Sequence, residues 1–276
     1  MKINNCELHV EQYGVENEQS IIFIHGAPGL GDCRADKNAF IRLADKFRLV
    51  FVDMRGSGRS EEIPPYTHEQ WTSDIEELRK TLNLGKIILH GGSYGGFLTM
   101  EYAIRYPDNI SHALLRDTAA NNKYSEISNR TALEADLPGV TEDLITRLFD
   151  GHVESDEELK EMFYAILPLY TVEYDPEKGK ERVDDIFYHY KTHNYAFNTN
   201  QIHYDLTERL QSLSTPFLIS VGRHDWITPV EASEEIARNV KNCKLVIYEN
   251  SGHSPHVEEN EKYLQEVREF LKGENQ

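Results

Sequence analysis

Ile87-Ile88-Leu89-His90-Gly91-Gly92-Ser93-Tyr94-Gly95-Gly96-Phe97 is the stretch whose reading decides the fold. Its β-branched opening reads as a buried strand, stopped by the glycine pair. The residues from Phe97 to Tyr106 read as a helix, stopped by Pro107. Between them lies G-x-S-x-G, a turn so tight that the flanking side chains must be absent, which accounts for Gly91 and Gly95. Such a turn lifts the Ser93 hydroxyl above the end of the strand and sets it at a helix start, where backbone N–H groups and the helix dipole favour negative charge. A glycine-rich turn that merely holds a serine shares the bare pattern; the strand before it and the helix after it favour a nucleophile.

The rest of the chain repeats the rhythm. Ile21–Ile24, Leu49–Val52, Ala113–Leu115, Phe217–Val221 and Leu245–Tyr248 are continuous apolar runs, suited to strands of a parallel sheet covered on both faces. The opening segment, with Leu8, Val10 and Tyr13, alternates and reads as an antiparallel edge. Helical patterns fall at Thr67–Leu82, Val230–Val240 and Tyr263–Leu271. The first has a Thr67 cap, Gln70 placed to close a capping box, and Trp71, Ile75 and Leu78 on one face. Strand and helix in alternation predict an α/β fold with a mostly parallel central sheet, helices on both faces and right-handed crossovers. Residues 118–213 break the alternation: they hold helical pieces rich in Tyr, Phe and acids, with no strong strand run. The expected organisation is a core of residues 1–117 and 214–276 with a helical cap, or lid, of residues 118–213 inserted between sheet strands. Loops at the carboxyl ends of parallel strands flank the ligand crevice, so the lid is expected above the site.

Composition narrows the function classes. The 276 residues are 39% hydrophobic and 28% charged, an ordinary globular balance. A net charge of −18 makes nucleic acid and anionic membrane surfaces poor partners, while leaving amines acceptable. Cys6, Cys33 and Cys243 have no metal-like spacing, the N-terminus carries no apolar signal core, and no apolar run reaches bilayer length. A soluble, cytoplasmic protein is expected, as a monomer or small homo-oligomer, with no metal and no cofactor.

A serine needs a base, and the base needs an orienting group. Asp225 follows the strand Phe217–Val221, and His253 follows Leu245–Tyr248 through Gly252. The order Ser93, Asp225, His253 predicts a triad assembled from three loops at one sheet edge: His253 takes the serine proton and Asp225 holds the imidazole tautomer. His224 and His256 are rivals for the base; His256 is expected instead to be packed or substrate-facing. His25-Gly26-Ala27-Pro28-Gly29 follows the strand Ile21–Ile24, and the backbone N–H groups of Ala27 and Tyr94 are the expected oxyanion donors. The loop Asp53–Ser60 lacks the Lys-Ser/Thr pair of a phosphate loop and reads as a brace for the pocket.

HGAPG, DMRGSGRS, GGSYGG, GRHDWITP and NSGHSPHVEE together resemble the α/β-hydrolase fold and, within it, the proline iminopeptidase (prolyl aminopeptidase) group. The resemblance spans Ile21–Tyr106 and Pro216–Leu271 and is weak in the insertion. It implies a cofactor-independent serine hydrolase that forms an acyl-enzyme and releases N-terminal proline or a small residue from short peptides. Where the group has HGGPG this chain has Ala27, which keeps the N–H. Such enzymes hold the substrate amine with acids: one subgroup directly after the triad Asp, where this chain has Trp226, another two residues before a His-Tyr pair, where it has Gln201 before His203-Tyr204. Substitutes for those acids would be Glu134, Glu173, Asp205 or Glu208. Gly26, Trp226, Gln201 and Tyr204 complete the substrate-contact candidates. The competing enzymatic reading is a carboxylesterase or lactonase, favoured by Trp226, Gln201 and an aromatic lid (Phe163, Tyr164, Tyr170, Tyr188 and Tyr190). A ligand-binding sensor with a retained triad is the reading from outside enzymology.

Overall fold

The structure is a computed structural model that describes residues 1–272. Strands β1 (Lys2–Ile3) and β2 (Cys6–Glu7) form a small antiparallel pair. The main sheet has seven strands: β3 (Val10–Tyr13), β4 (Ser20–Ile24), β5 (Arg48–Val52), β6 (Ile87–Gly92), β7 (Ile110–Arg116), β8 (Phe217–Gly222) and β9 (Cys243–Tyr248). Their spatial order is β3-β5-β4-β6-β7-β8-β9. Only β3 runs antiparallel, beside β5; every other pairing is parallel. The chain is therefore an α/β-hydrolase-type fold with a mostly parallel sheet, and its edge strand is the one whose sequence alternates.

Helices cover both faces. Helices α1 (Arg34–Phe40), α2 (His68–Thr81) and α3 (Tyr94–Arg105) belong to the first half of the chain. Alternate residues of each strand separate the core into two layers. Ile22, Val50, Leu89 and Leu115 pack with Trp71 and Ile75 of α2 and with Leu98 of α3. Ile21, Phe51, Ile88 and Leu114 pack on the opposite side with Phe40 of α1 and with Tyr263 and Val267. Because the strands are apolar at consecutive positions, both faces are dry.

Between β7 and β8 the chain makes six helices: α4 (Ser125–Glu134), α5 (Glu142–Phe149), α6 (Asp156–Ile166), α7 (Pro176–Asp185), α8 (Tyr190–Tyr195) and α9 (Thr207–Leu210). Ser155, Thr141 and Asp175 cap three of them by accepting backbone N–H bonds. The insertion has its own apolar cluster, in which Ile145, Leu148, Leu159, Phe163 and Ile166 pack with Trp226. After β8 come α10 (Val230–Asn239), then α11 (Pro255–Glu258) and α12 (Asn260–Lys272) behind β9.

One local expectation fails. Thr67 does cap α2, its hydroxyl accepting from Gln70 N at 3.1 Å, but the capping box is only half made. The Gln70 amide donates to Asp74 Oδ1 at 2.8 Å instead of returning to Thr67. Asp74 carries the buried ion pair with Arg55, and its charge attracts the amide more strongly than a neutral main-chain group does.

Candidate active site

Ser93 sits at the junction of β6 and α3 with φ 52° and ψ −121°, a strained conformation for a residue with a side chain. The surroundings impose it. A Cβ on Gly95 would come within 3 Å of the carbonyl oxygens of both Ile24 and His25, and one on Gly91 would strike the main chain of Gly95 itself. The elbow therefore presses against the end of β4, and Gly26 lies so close that its missing Cβ would stand 3.2 Å from Ser93 Cβ. Ser93 N donates to Arg116 O at 2.8 Å, tying the elbow to β7 as well.

Asp225 and His253 arrive from the ends of β8 and β9 and are both almost fully buried. His253 Nδ1 stands 2.9 Å from each Asp225 oxygen. Asp225 also accepts the N–H groups of Ile227 and Thr228 at 2.9 and 3.1 Å and the Thr228 hydroxyl at 2.8 Å. These bonds fix the carboxylate, and the carboxylate fixes the imidazole so that Nδ1 carries the proton and Nε2 is left free. Burial works against the imidazolium, but Asp225 outweighs it, and the His253 pKa lies above the ordinary histidine value. Ser93 and His253 line the same cavity. Among the described residues no hydrogen bond joins Ser93 Oγ to the imidazole, a contact that tightens in many hydrolases only when substrate is bound.

The loop after β4 forms the wall of the cavity beside Ser93. His25 Nδ1 reaches Gly26 O at 2.7 Å while its Nε2 accepts from Met54 N at 3.1 Å, pinning the loop to the turn after β5. Ala27 has φ 35°, where a glycine would be unstrained. It lines the cavity beside Ser93, and Tyr94, the first residue of α3, supplies one of the N–H groups that helix geometry leaves unpaired. The loop Asp53–Ser60 is the brace: Asp53 accepts from Cys33 N and from Arg59, Arg55 is paired with Asp74, and Ser57 Oγ accepts from Gly29 N.

The cavity has two lobes that meet at Ser93. One, of about 210 Å³, is lined by Tyr94, Phe97, Asn121, Asn122, Phe197, Gln201 and neighbours, with Asp150 as its carboxylate. The other, of about 480 Å³, is lined by charged side chains together with His253 and His256. His256 is buried, stacked on Phe40 at 5.8 Å and held neutral by burial and the Arg116 charge. His224 is exposed.

Several contact candidates fall elsewhere. Trp226 is buried in the insertion's apolar cluster, edge-on to Phe149 and Tyr170, and lines neither lobe. Tyr204 is stacked on Phe97 at 4.5 Å and donates to Ala119 O, a packing role that its lid position did not reveal. Glu134, Glu173, Asp205 and Glu208 are exposed and line neither lobe. Gln201 and Gly26 do line the cavity, one in each lobe.

Sequence reasoning missed Asp117. It follows β7 with φ 48° and is fully buried, with Oδ1 accepting from Gly222 N at 3.0 Å and Oδ2 3.6 Å from Arg116. Asp117, Asp225 and His253 each place one atom within 4.8 Å of the others. That trio could offer atoms to a metal ion, but four donors, with His253 Nδ1 shared between both oxygens, already engage the Asp225 carboxylate. Burial and the nearby Asp225 charge push the Asp117 pKa well up. Its place at a strand's carboxyl end, like that of Asp225, was the available signal.

Comparison with known proteins places the fold in a family. Residues 19–260 match the family model described as the alpha/beta hydrolase fold. Proline iminopeptidase PfmaB of Pestalotiopsis fici is 34% identical over 98% of both chains. A proline iminopeptidase of Saccharolobus solfataricus is 29% identical over 98% of this chain and 90% of its own. Among solved structures, a thermophilic esterase of Thermogutta terrifontis superposes with a TM-score of 0.76 at 28% identity, over 97% of this chain and 93% of the esterase. The family-model match over residues 19–260 and a proline iminopeptidase relative 34% identical over nearly the whole chain mean that this protein is a hydrolase of the α/β-hydrolase fold family, in its proline iminopeptidase-like group.

Proposed function

We propose that the protein is a serine hydrolase that works through an acyl-enzyme and releases N-terminal proline or another small residue from short peptides. The observation that carries this reading is Ser93 at a strained elbow, opening onto both lobes, with the Asp225-held imidazole in one of them. In the first step His253 Nε2 takes the Ser93 proton while Oγ bonds to the substrate carbonyl carbon. The carbonyl oxygen becomes an oxyanion, received by the N–H groups of Ala27 and Tyr94. Its collapse breaks the scissile bond, and the imidazolium returns the proton to the leaving amine. Water, deprotonated by the same imidazole, then releases the acyl group and restores Ser93.

His253 lines only the larger lobe, so the group it protonates departs there, and the acyl residue occupies the smaller one. In that smaller lobe Asp150, an exposed residue directly after α5, is the carboxylate available to a substrate amine, whereas Glu134, Glu173, Asp205 and Glu208 line neither lobe. The helices α4–α9 act as the cap over both lobes.

Chromogenic prolyl and alanyl amides test the reading. Wild-type turnover is expected, and Asp150→Asn should raise KM for prolyl amides about tenfold, as expected for losing a charged hydrogen bond, while leaving acetate esters within about threefold. Fast ester hydrolysis with no amide turnover establishes the second reading, a carboxylesterase or lactonase, which the mainly uncharged smaller lobe and the esterase likeness favour. Labelling of Ser93 by a fluorophosphonate without turnover of any substrate would indicate a sensor.

A further inference from the structure

The larger lobe contains a cation that the catalytic steps above leave unused. Three arginines line it. Arg34 is satisfied: it holds Asp32 through Nε and Nη2 and donates to the Asp185 main-chain carbonyl. Arg116 stands 3.4 Å from Asp36 and 3.6 Å from Asp117. Arg182, on α7 of the insertion, differs. Among the described residues no carboxylate lies within ion-pair distance of it, and its guanidinium carbon stands 5.8 and 6.0 Å from the centroids of the Phe163 and Tyr170 rings. Arg182 is exposed to solvent on α7 and also lines the lobe. Asp185, one turn along, also lines the lobe but pairs with neither arginine through its carboxylate.

Two rings flank this planar fork, and its donors match a carboxylate bidentately. It belongs to the lobe of His253, from which the leaving group departs. We infer that Arg182 anchors a carboxylate carried by the leaving group of the substrate. The preferred peptides then end close to the scissile bond in a free C-terminal carboxylate, as in a prolyl dipeptide or tripeptide, and the equivalent esters are those of hydroxy acids. This rests on the Ser93–His253 chemistry proposed above and adds the class of its substrate.

The experiment compares kcat/KM for Pro-Gly and Pro-Gly-Gly with that for Pro-Gly-NH2, and for carboxylated and plain 4-nitrophenyl acetate, in wild type, Arg182→Gln and Arg182→Lys. The expected wild-type preference for the carboxylated member of a pair is about tenfold to a hundredfold, mainly through KM. Arg182→Gln should collapse it while changing the uncharged substrates less than about threefold, and Arg182→Lys should restore part of it. Equal loss on both members of each pair, or no wild-type preference, overturns the anchor. Discrimination confined to the ester pair, with no prolyl substrate turned over, keeps the anchor and overturns the peptidase reading; absence of turnover throughout overturns both.

Discussion

The ends of the sheet strands and the helical insertion contribute to one cavity by different physics. At the strand ends, backbone geometry decides: Ser93, Ala27 and Asp117 all have positive φ, and Gly91 and Gly95 leave no room for a Cβ. In the insertion, side chains decide: Asp150, Phe197, Gln201 and Arg182 reach the lobes from the helices and connecting turns between β7 and β8. The first arrangement tolerates almost no change without loss of chemistry. The second can change its lining, and so its substrate, while the elbow stays intact.

The sharpest way to break this contrast is at Ser93. Ser93→Ala should lower kcat by at least about 10⁴-fold, measured by steady-state turnover, with an unchanged circular dichroism spectrum. Turnover within tenfold of wild type would refute the elbow as the reacting centre. Next comes Arg55, which holds Asp74 with two hydrogen bonds of 2.7 and 2.9 Å in the core brace. Arg55→Ala leaves a buried carboxylate unpaired and should cost about 3–5 kcal/mol in urea unfolding. On the insertion side, Phe197→Ala should raise KM about tenfold and leave kcat within threefold, because it removes apolar contact from the acyl lobe without touching the base.

A pH profile reaches the strand ends directly. The His253 pKa is raised, and catalysis needs the neutral imidazole, so kcat/KM should climb with pH through a midpoint above 6.5. Asp117 is among the causes of that elevation, so Asp117→Asn should move the midpoint down, by less than about one unit. Asp117 also has its own linkage. Its folded pKa is raised, to about 7, so the folded state binds the extra proton and wild-type stability declines between the ordinary carboxylate range and pH 7. The Asn variant should lose that decline in unfolding experiments at pH 5 and pH 8. The smallest effect belongs to the insertion surface: Lys180→Ala removes an exposed pair with Asp184 and should change stability by less than about 0.5 kcal/mol.

How much was legible follows from the same contrast. The Asp225–His253 pair and the Ser93 elbow could be read because each residue follows an apolar strand within a few residues and is announced by glycine: Gly91-Gly92 before Ser93, Gly222 before Asp225, Gly252 before His253. The lid acids could not be ranked, because an exposed Glu134 and a cavity-lining Asp150 look alike when helices carry charge on many faces. Trp226 misled for a related reason: its neighbour Asp225 belongs to the proposed triad, but the Trp226 ring is taken up by the insertion's apolar cluster, outside both lobes.

By itself, the sequence determined the order and type of the strands, the tight serine turn and the chain order of hydroxyl, carboxylate and imidazole, because each is a local demand on backbone shape. Only the tertiary structure decided that Asp117 lies beside Asp225 and His253, that the cavity divides at Ser93, and that Arg182 faces the lobe without a carboxylate of its own. Those are distances between groups far apart in the chain, and they arise from how the insertion folds back over the sheet, which no local pattern encodes.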